Sequence, residues 1–284
     1  MLGWGARDVF TIPSLVAQLA EHEAPNGPHV QVTNLGRDGY VSNQEVILLE
    51  ERLKAGRPSL VLFYDGVNEV ETAIARQRAG ETYEEATLRE SNEGRRRPRR
   101  QAARALLVQS STFGVMRALH RIRTRPTELE AKLSATDLDR LADEVVAVYL
   151  ANVGHVRKLA AGYGFSCLFY WQPILYTKAH PTAYEQSLFA RRWYEDGPPV
   201  SSDVYRALWI KIYERVRALS QPYPEFHDLS RIFDRDKAPR FIDPQHLGES
   251  GNEVVAHRRM DDIGPLLRAA AGPAANASSG IVRP

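Results

Sequence analysis

Ser59-Leu-Val-Leu-Phe-Tyr-Asp-Gly-Val-Asn-Glu69 decides how this chain is built. Ser59 to Tyr64 is a continuous apolar run, as expected of a strand covered on both faces. Gly66 then permits a tight turn, and Asn68 brings a side-chain N–H to the strand's carboxyl end. Upstream, Gly56-Arg-Pro58 breaks a helix running to about Lys54, whose apolar positions Val46, Leu49 and Leu53 share one face. That helix starts at a capping box, Ser42-Asn-Gln-Glu45. Further back, His29 to Asn34 reads as a strand. Pro13 to His22 reads as a short helix with Thr11 as its N-cap. The order α-β-α-β predicts a parallel sheet wrapped by helices.

Downstream, residues 69–132 interrupt this rhythm. They are rich in Arg, Glu and Ala and read as a helical insertion. Its basic run Gly94-Arg-Arg-Arg-Pro-Arg-Arg100 reads as a solvated loop rather than a phosphate contact. The rhythm resumes with a helix over 135–161 and a strand from Ser166 to Trp171. Helices over 181–195 and 202–219 follow, then a short strand around Glu225 to Leu229. A second capping box, Ser250-Gly-Asn-Glu253, precedes a final helix over 252–270. Residues 1–270 read as one domain, and 271–284 as a small, polar, disordered tail.

The bulk composition is that of a globular protein. The chain has 284 residues, 37 Lys+Arg against 35 Asp+Glu, 43% hydrophobic residues and a formal net charge of +2. These values exclude a wholly disordered chain, a collagen-like fibre and a disulfide scaffold. The near balance of charge gives no argument for a nucleic-acid partner or a membrane surface. The single cysteine, Cys167, lies in an apolar run and reads as a small buried hydrophobe. No stretch approaches the ~18 apolar residues of a membrane span. Met1 to Asp8 has neither the basic nor the apolar region of a signal peptide.

Three short segments carry the chemistry, each where an α/β sheet places its ligands, just past a strand end. The first is Asn34-Leu-Gly-Arg-Asp-Gly-Tyr-Val-Ser42, in which Gly36 and Gly39 allow a backbone N–H to face a site. The second is Tyr64-Asp-Gly-Val-Asn-Glu69, where Asp65 and Glu69 read as solvent-facing or loop-bonding. The third is Asp243-Pro-Gln-His246. Its spacing brings a carboxylate to Nδ1 of its own histidine and leaves Nε2 as a general base. The other histidines, at 22, 29, 120, 155, 180, 227 and 257, read as surface or core residues. No second His or Cys stands at ligand spacing from His246, so neither a metal nor another cofactor is expected.

In order and separation the three segments resemble blocks II, III and V of the SGNH/GDSL hydrolase superfamily. Asn34 and Gly39 match the second block, and Gly66 and Asn68 the third. Phe241-Ile-Asp-Pro-Gln-His-Leu-Gly-Glu-Ser-Gly-Asn252 matches the fifth. The resemblance implies a flavodoxin-like three-layer α/β/α fold. It makes His246 the base and Asp243 its orienting partner, with the Gly39 N–H and the Asn68 side chain in the oxyanion hole. Trp171 and Gln172, at a strand end, are expected to line the substrate.

The block holding the nucleophile is not in this sequence: no Gly-Asp-Ser, Gly-Gly-Ser or G-x-S-x-G occurs. Leu2-Gly-Trp-Gly-Ala-Arg-Asp8 resembles the stretch that follows the nucleophile in part of the family. That alignment puts the serine two residues upstream of Met1 and makes the first, central strand missing. The expected consequences are a chain that is inactive alone and poorly stable or prone to aggregate. The function expected is a serine esterase or acyl hydrolase acting on an acetylated sugar or lipid-like ester. The alternatives are an acyltransferase using the same site and a non-catalytic glycan- or partner-binding protein. Compartment is undetermined: a leaderless chain is cytoplasmic, and a lost upstream segment is compatible with an extracytoplasmic or anchored protein.

Overall fold

The structure, a computed structural model, describes residues 5–23, 30–81, 134–189, 203–219 and 222–271. The basic run at 94–100, most of the expected insertion and the tail from 272 lie outside the described residues.

Among the described residues three strands form one parallel sheet in the order β1 (Leu60–Asp65), β2 (Ser166–Trp171), β3 (Phe226–Asp228). The register pairs Leu60 with Ser166 through Asp65 with Trp171, and Phe169 with Phe226 through Trp171 with Asp228. Strand alternation divides the side chains between two faces. Val61, Phe63, Phe169, Trp171 and Phe226 meet one set of helices. Leu60, Leu62, Tyr64, Leu168 and Tyr170 meet another.

Among the described residues the helices, in chain order, are α1 (Ile12–Glu23), α2 (Ser42–Ala55), α3 (Val67–Arg76), α4 (Ala135–Tyr163), α5 (Ala183–Leu188), α6 (Asp203–Val216) and α7 (Glu249–Ala271). On the first face lie α2, α3, α4 and α6, with Leu141, Val156, Leu208 and Trp209 fully buried. On the second lie α1 and α7, packed together through Ile12, Val16, Val255 and Met260. The arrangement is compatible with three α/β/α layers.

Two local expectations change. Residues 30–34 form no strand, and 31–34 are exposed; only Val30 packs against the second core. A strand exists by pairing, and HVQVTN has no ladder partner among the described residues. The outer edge of β1 is likewise unpaired among them. The capping boxes also shift. Helix α2 is preceded by Val41, making Ser42 its first helical residue, and Ser250 lies inside the first turn of α7. No helix among the described residues is long and apolar enough to cross a membrane.

Candidate active site

The Asp243–His246 turn is held from several directions. An isolated antiparallel bridge joins Phe241 to Leu247, and Ile242 donates its N–H to the His246 carbonyl at 3.0 Å. The Leu175 N–H, just past β2, donates to Pro244 O at 2.9 Å. Gln245 Nε2 donates to Glu71 Oε1 of α3 at 3.0 Å. Behind the turn, Gly251 allows close approach: a Cβ there would lie 2.7 Å from the Arg240 carbonyl.

Within the turn, Asp243 Oδ1 accepts the backbone N–H of Gln245 (2.8 Å) and of His246 (2.7 Å). Its Oδ2 lies 2.7 Å from His246 Nδ1. An ionised carboxylate only accepts, so Nδ1 carries the proton and Nε2 is the basic nitrogen of the ring. Burial works to raise the Asp243 carboxyl, but the His246 hydrogen bond and charge, with two backbone amides, hold it below the usual carboxylate range. Burial works to lower the His246 imidazole, but the Asp243 hydrogen bond and charge, with the Glu71 and Asp38 carboxylates, raise it above its ordinary value. Asp38 belongs to the glycine-bearing loop, so that loop is electrostatically within reach of the base.

The other two segments meet each other. Asn68, the second residue of α3, donates from Nδ2 to the Tyr40 carbonyl at 2.7 Å. Tyr40 follows Gly39, whose φ of 71° lies in the left-handed region that glycine accepts without strain. Gly66, which precedes α3, has φ 134°, and a Cβ there would lie 3.1 Å from Trp171. The structure thus brings Gly39 and Asn68 to one turn pair and Asp243 and His246 to another. Gln245–Glu71 and the charge of Asp38 link the two pairs.

Trp171 is placed differently from the expectation that it faces substrate. Trp171 is 0% exposed and packs edge-on against Tyr149, 5.0 Å between centroids. It faces inward because strand alternation groups it with Phe169. Gln172 accepts the Val67 N–H through Oε1 at 3.0 Å and so braces the start of α3.

Three carboxyls beside this site were not legible as a group. Asp65 and Glu69, read from sequence as solvent-facing or loop-bonding, are 5% and 7% exposed. Asp65 Oδ2 accepts from Tyr149 Oη at 3.0 Å, and Glu45 hydrogen-bonds Asp65. Burial pushes Glu45 and Glu69 up to about 7 and Asp65 well above its ordinary value. Asp65 shares strand parity with Phe63, a signal available in the sequence. Cys167 is half-buried in β2, and burial pushes its thiol up to about 11. Among the described residues no group of three or more His, Cys, Asp or Glu side chains is arranged to hold a metal.

No protein-family model matches this chain, and no curated protein matches it. Among solved structures it is similar to an acetyl xylan esterase, AlAXEase, at 12% identity and a TM-score of 0.42. That match covers 91% of this chain and 97% of the other. A likeness of this degree establishes no family.

Proposed function

We propose that this chain supplies the base and the oxyanion-holding groups of a serine esterase or acyl hydrolase. The substrate class is a small ester, such as an acetylated sugar or a lipid-like ester. The observation that carries the reading is the 2.7 Å contact between Asp243 Oδ2 and His246 Nδ1. It is supported by the Asn68–Tyr40 bond, which ties the Gly39-bearing loop to the start of α3.

The chemistry follows from those positions. His246 Nε2 takes the proton of an attacking serine hydroxyl while Asp243 stabilises the imidazolium. The serine Oγ bonds to the ester carbonyl carbon, and the carbonyl oxygen becomes an oxyanion. The Gly39 N–H and the Asn68 amide donate to it. Collapse breaks the ester C–O bond, and His246 returns the proton to the departing alkoxide. Water then repeats the sequence on the acyl-serine and releases the acid.

The serine is assigned to a segment preceding residue 1. Ser14 Oγ accepts from Thr11 Oγ1 at 2.9 Å, and Ser42 Oγ accepts from Asn152 Nδ2 at 2.9 Å, so both are held elsewhere.

The test is to read the coding DNA upstream of Met1 in frame and assay the longer chain on p-nitrophenyl acetate. A strand-like run ending in Gly-Asp-Ser or Gly-Gly-Ser, the serine two codons before Met1, and turnover lost in His246→Ala are expected. Unrelated sequence there, with no turnover, overturns the reading and favours a binding role for the same cleft. Transfer of the acyl group to an added sugar, outpacing hydrolysis, identifies an acyltransferase.

A further inference from the structure

Glu69 touches no reacting atom in the mechanism above, yet two turns are fastened to it. Its Oε1 accepts the N–H of Ser42, the first residue of α2, at 2.7 Å. Its Oε2 accepts the N–H of Gly66, immediately before α3, at 2.9 Å. One buried carboxylate therefore caps the N-termini of two helices that come from separate parts of the chain. The residues flanking those amides are the ones assigned to the oxyanion. Gly39 and Tyr40 lead into Ser42, and Asn68 follows Gly66. The Asn68–Tyr40 bond closes the circuit.

We propose that Glu69 is a positioning residue of this site: its carboxylate clasps the Gly39–Ser42 turn to the Gly66–Asn68 turn and so sets the separation of the two oxyanion donors. The proposal rests on the ester-hydrolysis reading for the purpose of the clasp, though not for its existence. The side chain is specific in kind. Glutamine offers one acceptor oxygen and turns its NH₂ toward the second N–H, and aspartate is one methylene too short to span both amides. Burying a carboxylate is costly unless it is hydrogen-bonded; the Ser42 and Gly66 amides offset part of that cost, and burial still pushes Glu69 up to about 7. The titratable groups facing it are Asp65 from β1, Glu45 from α2 and Tyr149 from α4.

The test is amide NMR on the full chain, which does not depend on turnover. In Glu69→Gln the Ser42 and Gly66 amide protons are expected to lose the downfield positions that a carboxylate acceptor gives them. The Gly39 amide and the Asn68 side-chain amide are expected to move with them, and the His246 ring nitrogens, held by Asp243, to stay. Should Glu69→Gln fail to fold, Ser42→Pro against Ser42→Ala asks the same question. Proline fits the first position of a helix and removes only the N–H, and alanine controls for the lost hydroxyl. Here Gly39 and Asn68 signals are expected to move in the proline variant alone. Unmoved Ser42 and Gly66 amides in Glu69→Gln, or unmoved Gly39 and Asn68 signals in both tests, overturn the clasp. On p-nitrophenyl acetate, in the longer, serine-bearing chain, Glu69→Gln is expected to lower kcat by ~10²-fold at unchanged KM, as for a displaced catalytic group, and Glu69→Asp, too short to reach both amides, is expected not to restore it. Unchanged kcat with moved amides overturns the positioning role. No ester turnover at all in the longer, serine-bearing chain overturns the ester reading, while the amide shifts still decide the clasp.

Discussion

Asp243 holds His246 at both ends, taking its backbone N–H on one carboxylate oxygen and its ring Nδ1 on the other, each at 2.7 Å. The turn thereby fixes tautomer, ring orientation and charge together. Asp243→Asn keeps the shape and removes the charge. The His246 pKa, raised above its ordinary value in the native protein, is expected to fall, as read by ring-nitrogen shifts against pH. Hydrolysis, where present, is expected to drop by ~10⁴-fold, as when a triad carboxylate becomes an amide. In the unaltered site the rate is expected to climb with pH through the raised His246 pKa, because only neutral imidazole is a base. A His246 titration unmoved by Asp243→Asn sinks this assignment.

Asn68 offers a second, independent handle. Asn68→Asp changes a donor into an acceptor at nearly constant volume and sets it against the Tyr40 carbonyl. The lost bond and the repulsion are expected to cost ~1–3 kcal/mol in unfolding free energy. Loss of an oxyanion donor is expected to cost ~10²–10³ in kcat. A stable variant with full kcat removes Asn68 from the mechanism.

The carboxyl cluster makes a prediction about stability against pH. Glu45 and Glu69 sit at about 7 and Asp65 well above its ordinary value, all chiefly through burial. The native state therefore keeps protons that the unfolded chain has released. The stability this contributes is complete below the unfolded pKa values, about 4, and is lost as pH rises through about 7. His246, also raised, works in the same direction, and His227, lowered by burial, works against it. Comparing wild type with Asp65→Asn cancels both histidines. The variant is expected to be more stable than wild type at pH 8 by ~1–3 kcal/mol, with the gap closing at pH 5. Parallel stability curves refute the cluster's role.

How much of this was legible depended on whether the cause was local. Strand β1 and the Asp243–His246 turn were readable, because an apolar run and a three-residue spacing carry their own reasons. His29 to Asn34 has strand composition, but Val30 to Asn34 has no ladder partner among the described residues, and the ladder decides. Trp171 was misplaced for want of one step of parity from Phe169, the same step that would have turned Asp65 inward. Glu69 was opaque for a different reason. Its partners, the amides of Ser42 and Gly66, are brought together only when α2 and α3 dock, and nothing in the sequence announces that a carboxylate will cap a helix 27 residues upstream.

Lys178 and Glu185 form an ion pair with both side chains 0% exposed, and it bears on the same catalytic turn. Lys178 Nζ also donates to the Ala238 carbonyl at 2.7 Å. Glu185 accepts the backbone N–H of Thr182 at 2.8 Å and of Arg240 at 2.9 Å. The pair thus anchors the strap 238–241 that leads directly into Asp243. Breaking it with Glu185→Gln leaves a buried ammonium without its counter-charge, expected to cost ~3–5 kcal/mol. Replacing both charges, Lys178→Met with Glu185→Leu, removes that penalty but abandons the Thr182, Arg240 and Ala238 backbone groups. The double variant is therefore expected to recover only part of the loss. Hydrogen exchange is expected to rise at Arg240 and Phe241 in both variants, and at His246 by continuity of the strap. If the double variant matches wild type in both stability and exchange, the pair is dispensable and the turn is held by Leu175, Gln245 and the Phe241–Leu247 bridge alone.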